Sequence, residues 1–144
     1  MTSEERDRFL TEQRTCRVAT VSVAGAPHVQ PLWYVWDGRS LWLYSIVRSQ
    51  RWKDLERDPR VAVVVDAGED YLELRGIELA GVVEVVGEVP RTGAANSELE
   101  IPERLFVERY HPGQNLFPHD GRHGWLRLRA EREYSWDFRK IQKI

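Results

Sequence analysis

The sequence has one cysteine in 144 residues, Cys16. No disulfide can close within the chain, and no zinc site can be built on paired cysteines. Long apolar runs are missing too. The longest strictly aliphatic stretch is Val61–Val65, far short of the roughly 20 residues that a membrane helix needs. The opening Met1-Thr2-Ser3-Glu4-Glu5-Arg6 is polar and acidic, without the basic-then-apolar order of a secretory signal. Lysine is scarce, three residues against 18 arginines, a bias that reflects a GC-rich genome more than a function. Net charge is −2 and the pI about 6.1, so the sequence-wide basic footprint of a nucleic-acid binder is absent. There is no Gly-x-Ser-x-Gly elbow, no Walker loop and no Gly-x-Gly-x-x-Gly fingerprint, which removes the support for hydrolase, P-loop and Rossmann readings. These absences lead us to expect a soluble, cytoplasmic protein with neither nucleic acid nor membrane as partner.

What is present is ordinary globular chemistry. Hydrophobic residues make up 42% and charged residues 31%, a balance that supports a packed core rather than disorder. A chain of this length buries about 68–70% of its unfolded surface. It is expected to form one domain over residues 1–144, with no internal repeat or linker. Six tryptophans are many for one small domain. They fit an aromatic ligand pocket or the packing of a core and a dimer interface equally well.

Along the chain, Thr2 and Glu5 suggest a capping box for a short surface helix to about Gln13, with Phe9 and Leu10 as its apolar residues. Arg17–Val23, His28–Trp36 and Leu41–Ile46 read as three strands joined by Ala24-Gly25 and Asp37-Gly38 turns. A helix is expected over Ser49–Arg57, ended by Asp58-Pro59. Arg60–Asp66 reads as a strand apolar enough to be covered on both faces. Tyr71–Val89 reads as a long strand region in which Gly76, Gly81 and Gly87 mark bulges or bends. Glu98–Tyr110 suggests a helix, His111–His123 a loop, and Trp125–Glu131 and Tyr134–Phe138 the closing strands. The sum is mainly β with a few helices: six or seven antiparallel strands forming a small β-barrel.

Three features bear on function. From Ser45 to Leu55 a strand ends and a helix opens at Ser49, among Arg48, Arg51 and Lys53. A helix N-terminus offers free N–H groups and partial positive charge to a phosphate. Ser45, Ser49 and Arg51 would add charge-assisted hydrogen bonds. The same residues also read as a plain serine N-cap on a solvated basic helix. In the second feature, strand alternation puts His28, Gln30, Leu32 and Tyr34 on one face, and Val29, Pro31, Trp33 and Val35 on the other. Either face could line a ring pocket or a dimer interface, and Pro31 suggests an edge or a stretch open to a ligand. Third, His111, His119 and His123 share a loop with Asp120, but metal-ligand spacing is absent and a solvated loop is expected. No metal site is assigned.

Seven segments in order carry a resemblance: Arg17–Val21, Gly25–Val29, Leu32-Trp33-Tyr34, Ser49-Gln50-Arg51 with Asp54-Leu55, Arg57–Val61, Leu74–Ile77 and Ser135–Lys140. Together they resemble the split β-barrel superfamily of pyridoxamine 5′-phosphate oxidase, and within it the small actinobacterial branch that uses the deazaflavin coenzyme F420. The resemblance implies an antiparallel split barrel of the FMN-binding type and a homodimer with two cofactor sites at its interface. It implies a phosphate cradle of Ser45, Ser49, Gln50 and Arg51, and a ring held against Leu32, Trp33 and Tyr34. Arg48, Arg57 and Trp136 complete the implied cofactor-binding set. Arg51 and Asp54 stand where the branch usually carries lysine and asparagine, and a carboxylate near a phosphate is repulsive unless Arg51 or Arg57 neutralises it.

F420 is preferred over FMN as cofactor because Arg48, Lys53, Arg57 and Arg60 could form a basic groove for its oligoglutamate tail. The implied activity is hydride transfer between the reduced deazaflavin and a conjugated or electron-poor small molecule. FMN-dependent chemistry and a non-catalytic flavin, deazaflavin or haem-derived ligand binder are the alternatives. Tyr34, His28 or water could supply a proton, and no catalytic side chain is assigned.

Overall fold

In the computed structural model, which describes residues 1–143, three helices and three short 3-10 turns surround six strands. Helix α1 (Ser3–Glu12) starts as its sequence dictates, with Thr2 Oγ1 accepting the Glu5 N–H at 3.2 Å. The reciprocal half of the box is not made, because the Glu5 carboxylate turns to Lys140 at 2.9 Å. Phe9 and Leu10 are the buried residues of α1 and plug one end of the barrel interior.

The strands are β1 (Thr15–Val21), β2 (Pro27–Trp36), β3 (Leu41–Ile46), β4 (Arg60–Ala67), β5 (Arg75–Val86) and β6 (His123–Asp137). They pair in the order β1-β2-β3-β6-β5-β4, every pair antiparallel, and β4 returns to β1 through Val63 opposite Val18. The sheet is therefore a closed barrel. Its interior is the period-2 face of each strand: Cys16 and Val18, Tyr34, Leu41 and Leu43, Val61, Val63 and Val65, Ile77 and Leu79, Leu126 and Leu128. Helix α2 (Gln50–Arg57) adds Trp52 and Leu55 to that core. Helix α3 (Glu100–Tyr110) lies outside, where Phe106 and Tyr110 pack on Val35, Trp42, Tyr44 and Trp125. β3 is thus buried on both faces, the inner by the barrel and the outer by α3.

Several elements differ from the sequence reading. β1 starts at Thr15 and stops at Val21. The Tyr71–Val89 region divides into a 3-10 turn at Tyr71–Glu73 and β5. The two expected closing strands are one 15-residue strand, β6, bent at a bulge opposite Ala80 and Gly81. The charged run Arg129–Glu133 looks like an interruption in sequence, but those residues stand exposed where β6 has left β3 and pairs with β5 alone, β5 still pairing with β4 on its other side. The outer face of β4 is half-buried at Ala62 and Val64 rather than sealed.

One departure from regular pairing positions the site. β2 runs for ten residues, and Pro27–Trp33 pair with β1, yet only Tyr34–Trp36 pair with β3. Before Tyr34 the two strands part, and the edge position suggested by Pro31 lies in that split.

Candidate functional site

Arg51 closes the split. Its guanidinium is buried, 6% exposed, and donates from Nε and Nη2 to Ser45 Oγ, both at 3.1 Å, and from Nη1 to Gln30 Oε1 at 3.2 Å. Ser45 is the last inward residue of β3, fully buried, and Gln30 comes from the stretch of β2 that pairs with β1 but not with β3. Both acceptors are neutral. No carboxylate lies within ion-pair distance of Arg51 among the described residues, and burial pulls its pKa below the ordinary guanidinium value. A buried charge is normally paired; here the partner is missing.

Ser49 is the N-cap of α2, its hydroxyl accepting the Trp52 N–H at 3.1 Å. The serine-cap reading is therefore realised, and the cap starts the helix that carries Arg51. Gln50 does not face the guanidinium but donates to Asp54 Oδ1 at 2.9 Å. Asp54 is 1% exposed, its Oδ2 has no partner, and Arg57 Nη1 stands 3.7 Å from Oδ1. Arg57 also donates to the Val21 carbonyl. Arg48 and Lys53 are exposed, with no carboxylate partner among the described residues, whereas Arg60 is tied to Asp58 at 2.7 Å.

Next to this cradle, on the outer face of the same two strands, lies a cleft of about 590 Å³ lined mostly by apolar and aromatic groups. Pro31, Leu32 and Trp33 of β2 form one wall, and Tyr44 of β3 with Phe106 of α3 another. Trp33 stacks on Tyr110 with ring centres 4.2 Å apart and planes within 7°. Two of the expected ring-binding residues, Leu32 and Trp33, are therefore in the cleft.

The third, Tyr34, is not, and neither is Trp136 of the wider cofactor-binding set. Tyr34 points into the barrel, where its hydroxyl donates to the Leu10 carbonyl at 2.6 Å. Trp136 lies at the far end of β6, with its ring over Gly76.

The loop expected to be merely solvated supplies the cleft's polar end: His111, Asp120 and His123 line it. His123 Nδ1 is 2.5 Å from Asp120 Oδ2, an ion-pair contact whose N–H direction is not aligned on the oxygen. Burial pushes the Asp120 carboxyl up, but the Arg122 N–H and the His123 charge outweigh it and hold it below the usual carboxylate range. The His123 ring stacks on Tyr44 at 4.7 Å, and burial raises the pKa of the unpartnered Tyr44 hydroxyl. His119 instead sits 3.8 Å from Glu103, beyond the lining. Among the described residues no cluster of side chains could hold a metal ion, and no helix is long and apolar enough to cross a membrane. The signal missed in the sequence was the pair Tyr44 and His123, which β3–β6 pairing brings together from 79 positions apart.

A closed antiparallel barrel that parts along one seam, with a buried unpaired cation and an aromatic cleft at the parting, defines a split β-barrel binding protein. The chain belongs to the pyridoxamine 5′-phosphate oxidase family, whose model matches residues 2–137; the wider superfamily includes oxidoreductases. It is similar over its full length to a conserved hypothetical protein from Mycobacterium tuberculosis, at 30% identity and TM-score 0.83, covering 89% of that chain. An F420 reductase aligns at 22% identity and TM-score 0.66, over 89% of this chain and 94% of the other. The haem-storage protein HutZ from Vibrio cholerae aligns at 17% identity and TM-score 0.69, over 91% and 92%. No curated protein matches the chain.

Proposed function

We propose that the protein is an oxidoreductase that uses coenzyme F420, works as a homodimer, and transfers a hydride between the reduced deazaflavin and a conjugated or electron-poor small molecule. The observation that carries this reading is Arg51, a buried guanidinium held by two neutral oxygens and lacking a counter-ion. A phosphate supplies what is missing, two or more acceptor oxygens with negative charge, so the residues present fit a ribityl phosphate. Asp54, with its unpartnered oxygen, opposes an anion nearby, and only Arg57 at 3.7 Å offsets it. The apolar cleft against Leu32, Trp33 and Tyr44 suits a flat ring system. Exposed, unpaired Arg48 and Lys53 favour an anionic tail, and with it F420 over FMN.

Bound there, the deazaflavin would supply the hydride. The chain's own part is to fix the phosphate through Arg51, to keep water from the apolar wall, and to leave His111, Asp120 and His123 at the polar end. Two imidazoles in an apolar cleft also favour a second reading, a carrier of a haem-derived ligand. Fluorescence titration of the purified protein with F420, FMN and haem separates these readings. F420 should bind most tightly, and the loaded protein should bleach a quinone dye when the cofactor is reduced. Tight FMN binding with weak F420 binding would reverse the cofactor, and haem binding without dye reduction would make the protein a carrier.

A further inference from the structure

The polar end of the cleft holds a pair of groups to which phosphate and ring recognition give no task. His123 opens β6 opposite Ile46, and its carbonyl accepts the Arg91 N–H at 2.8 Å, so its backbone is held on both sides. Asp120 is fixed as well, because its Oδ1 accepts the N–H groups of Arg122 at 2.9 Å and His123 at 3.2 Å. Oδ2 is then presented to His123 Nδ1, a buried atom. A carboxylate at Nδ1 keeps the proton of the neutral ring there and leaves Nε2 as the nitrogen for a ligand.

The surrounding charges are committed elsewhere. Glu103 of α3 accepts from Arg91 Nε at 2.8 Å and Trp125 Nε1 at 3.0 Å, and Arg91 also binds Glu88. Tyr44 of β3, under the imidazole, is kept neutral by burial, and His111 lines the cleft as a second imidazole. Asp120 is the carboxylate left for His123. Tyr34, an acid suggested by the sequence, is spent on main-chain carbonyls inside the barrel, and His28 does not line the cleft.

We propose that His123 and Asp120 are the acid–base pair of this cleft, His123 exchanging a proton with the substrate and Asp120 setting its tautomer. The proposal rests on the reading above that a conjugated compound is reduced here. Hydride adds to the β-carbon of an enone, and the C=C electron pair moves through to the carbonyl oxygen as an enolate. The His123 Nε2–H bond then breaks, its electrons stay on nitrogen, and the proton goes to the enolate carbon. The sum is one hydride from the reduced deazaflavin and one proton from the imidazolium, and the neutral imidazole left behind takes its next proton from solvent.

Two readouts test this. In the protein without cofactor, NMR of the histidine ring nitrogens should show His123 as the Nδ1–H tautomer, and Asp120→Asn should abolish that preference. With reduced F420 and cyclohex-2-en-1-one, His123→Gln should lose roughly 100-fold or more in kcat while cofactor affinity changes less than about twofold. An unchanged His123 tautomer in Asp120→Asn overturns the pair, and an unchanged kcat in His123→Gln overturns its catalytic role. Absence of cofactor binding by the wild-type protein overturns the underlying reading instead, and the NMR readout separates that failure from the pair's.

Discussion

Arg51 concentrates the tension between stability and binding in one side chain. Burying a guanidinium costs several kcal/mol of solvation, and here Ser45 and Gln30 return only neutral hydrogen bonds. Methionine fills similar space without charge. Arg51→Met should therefore leave the Tm of the ligand-free protein unchanged or higher, while F420 and FMN affinity both fall by about tenfold or more, the loss of a charge-assisted contact of roughly 1.5–3 kcal/mol. Differential scanning fluorimetry and titration check this together; a large fall in Tm with affinity intact would make Arg51 a strut. Asp137 shows the opposite economy. Its carboxylate receives Arg139 Nε at 2.9 Å and Nη2 at 2.8 Å, and those hydrogen bonds pull its pKa down to about 2. Because the native value lies below the unfolded one of 3.8, the pair stabilises the fold above about pH 4 and the gain fades as pH falls toward 2. Asp137→Asn should flatten that acid limb in urea unfolding between about pH 5 and about pH 2.5.

The pairing of β5 and β6 shows what element-level reading captures and what escapes it. The glycines spaced through β5 announced bulges or bends: Gly81 meets a bulge, whereas Gly76 marks a close approach instead. A Cβ on Gly76 would stand 2.4 Å from Trp136 Cζ2 and 2.9 Å from the Val65 carbonyl oxygen, and Gly81 sits at the bulge. Gly76→Ala must displace the indole or the strand, so we expect a loss of about 1–3 kcal/mol in denaturant unfolding. Gly25→Ala, with nothing within 4 Å, is limited by its positive φ alone. The strands β1, β3 and β4 were legible because runs of β-branched and aromatic residues bounded by turn residues are a local signal. The length of β6 was not: Arg129–Glu133 are exposed on the stretch where β6 has left β3, and only pairing with β5 shows that the strand continues.

At the scale of the whole molecule, the legible half of the site is the half that lies in one stretch of chain. Ser45, Ser49 and Arg51 share a strand end and a helix start; the structure joins Ser45 to Arg51, while Ser49 caps the helix. The cleft draws on β2, β3, α3 and the His111–His123 loop, and nothing local tells that Tyr44 will meet His123. Even Tyr34 was placed by pattern on the face of Leu32, and that face turns inward once the barrel closes. Assembly extends the same logic beyond the chain. Trp33 and Val29 on β2, and Val82 and Val85 on β5, are apolar yet 43–62% exposed, more than one small barrel needs to show. Light scattering should give about twice 16.9 kDa at micromolar concentration, and a monomer that still binds cofactor would refute a shared site. The proposed choice of cofactor turns on the exposed charges. Arg57 and Arg60 are partly neutralised by Asp54 and Asp58, which leaves Arg48 and Lys53 as the free cations beyond the cradle. Their reach shrinks from about 10 Å at 0.1 M salt to about 3 Å at 1 M. F420 should therefore outbind FMN at low salt, and the gap should close as salt rises. Arg48→Gln with Lys53→Gln should close it at low salt, leaving FMN affinity nearly unchanged because FMN carries no tail to reach them. Equal affinities at low salt would mean that the free cations serve no tail.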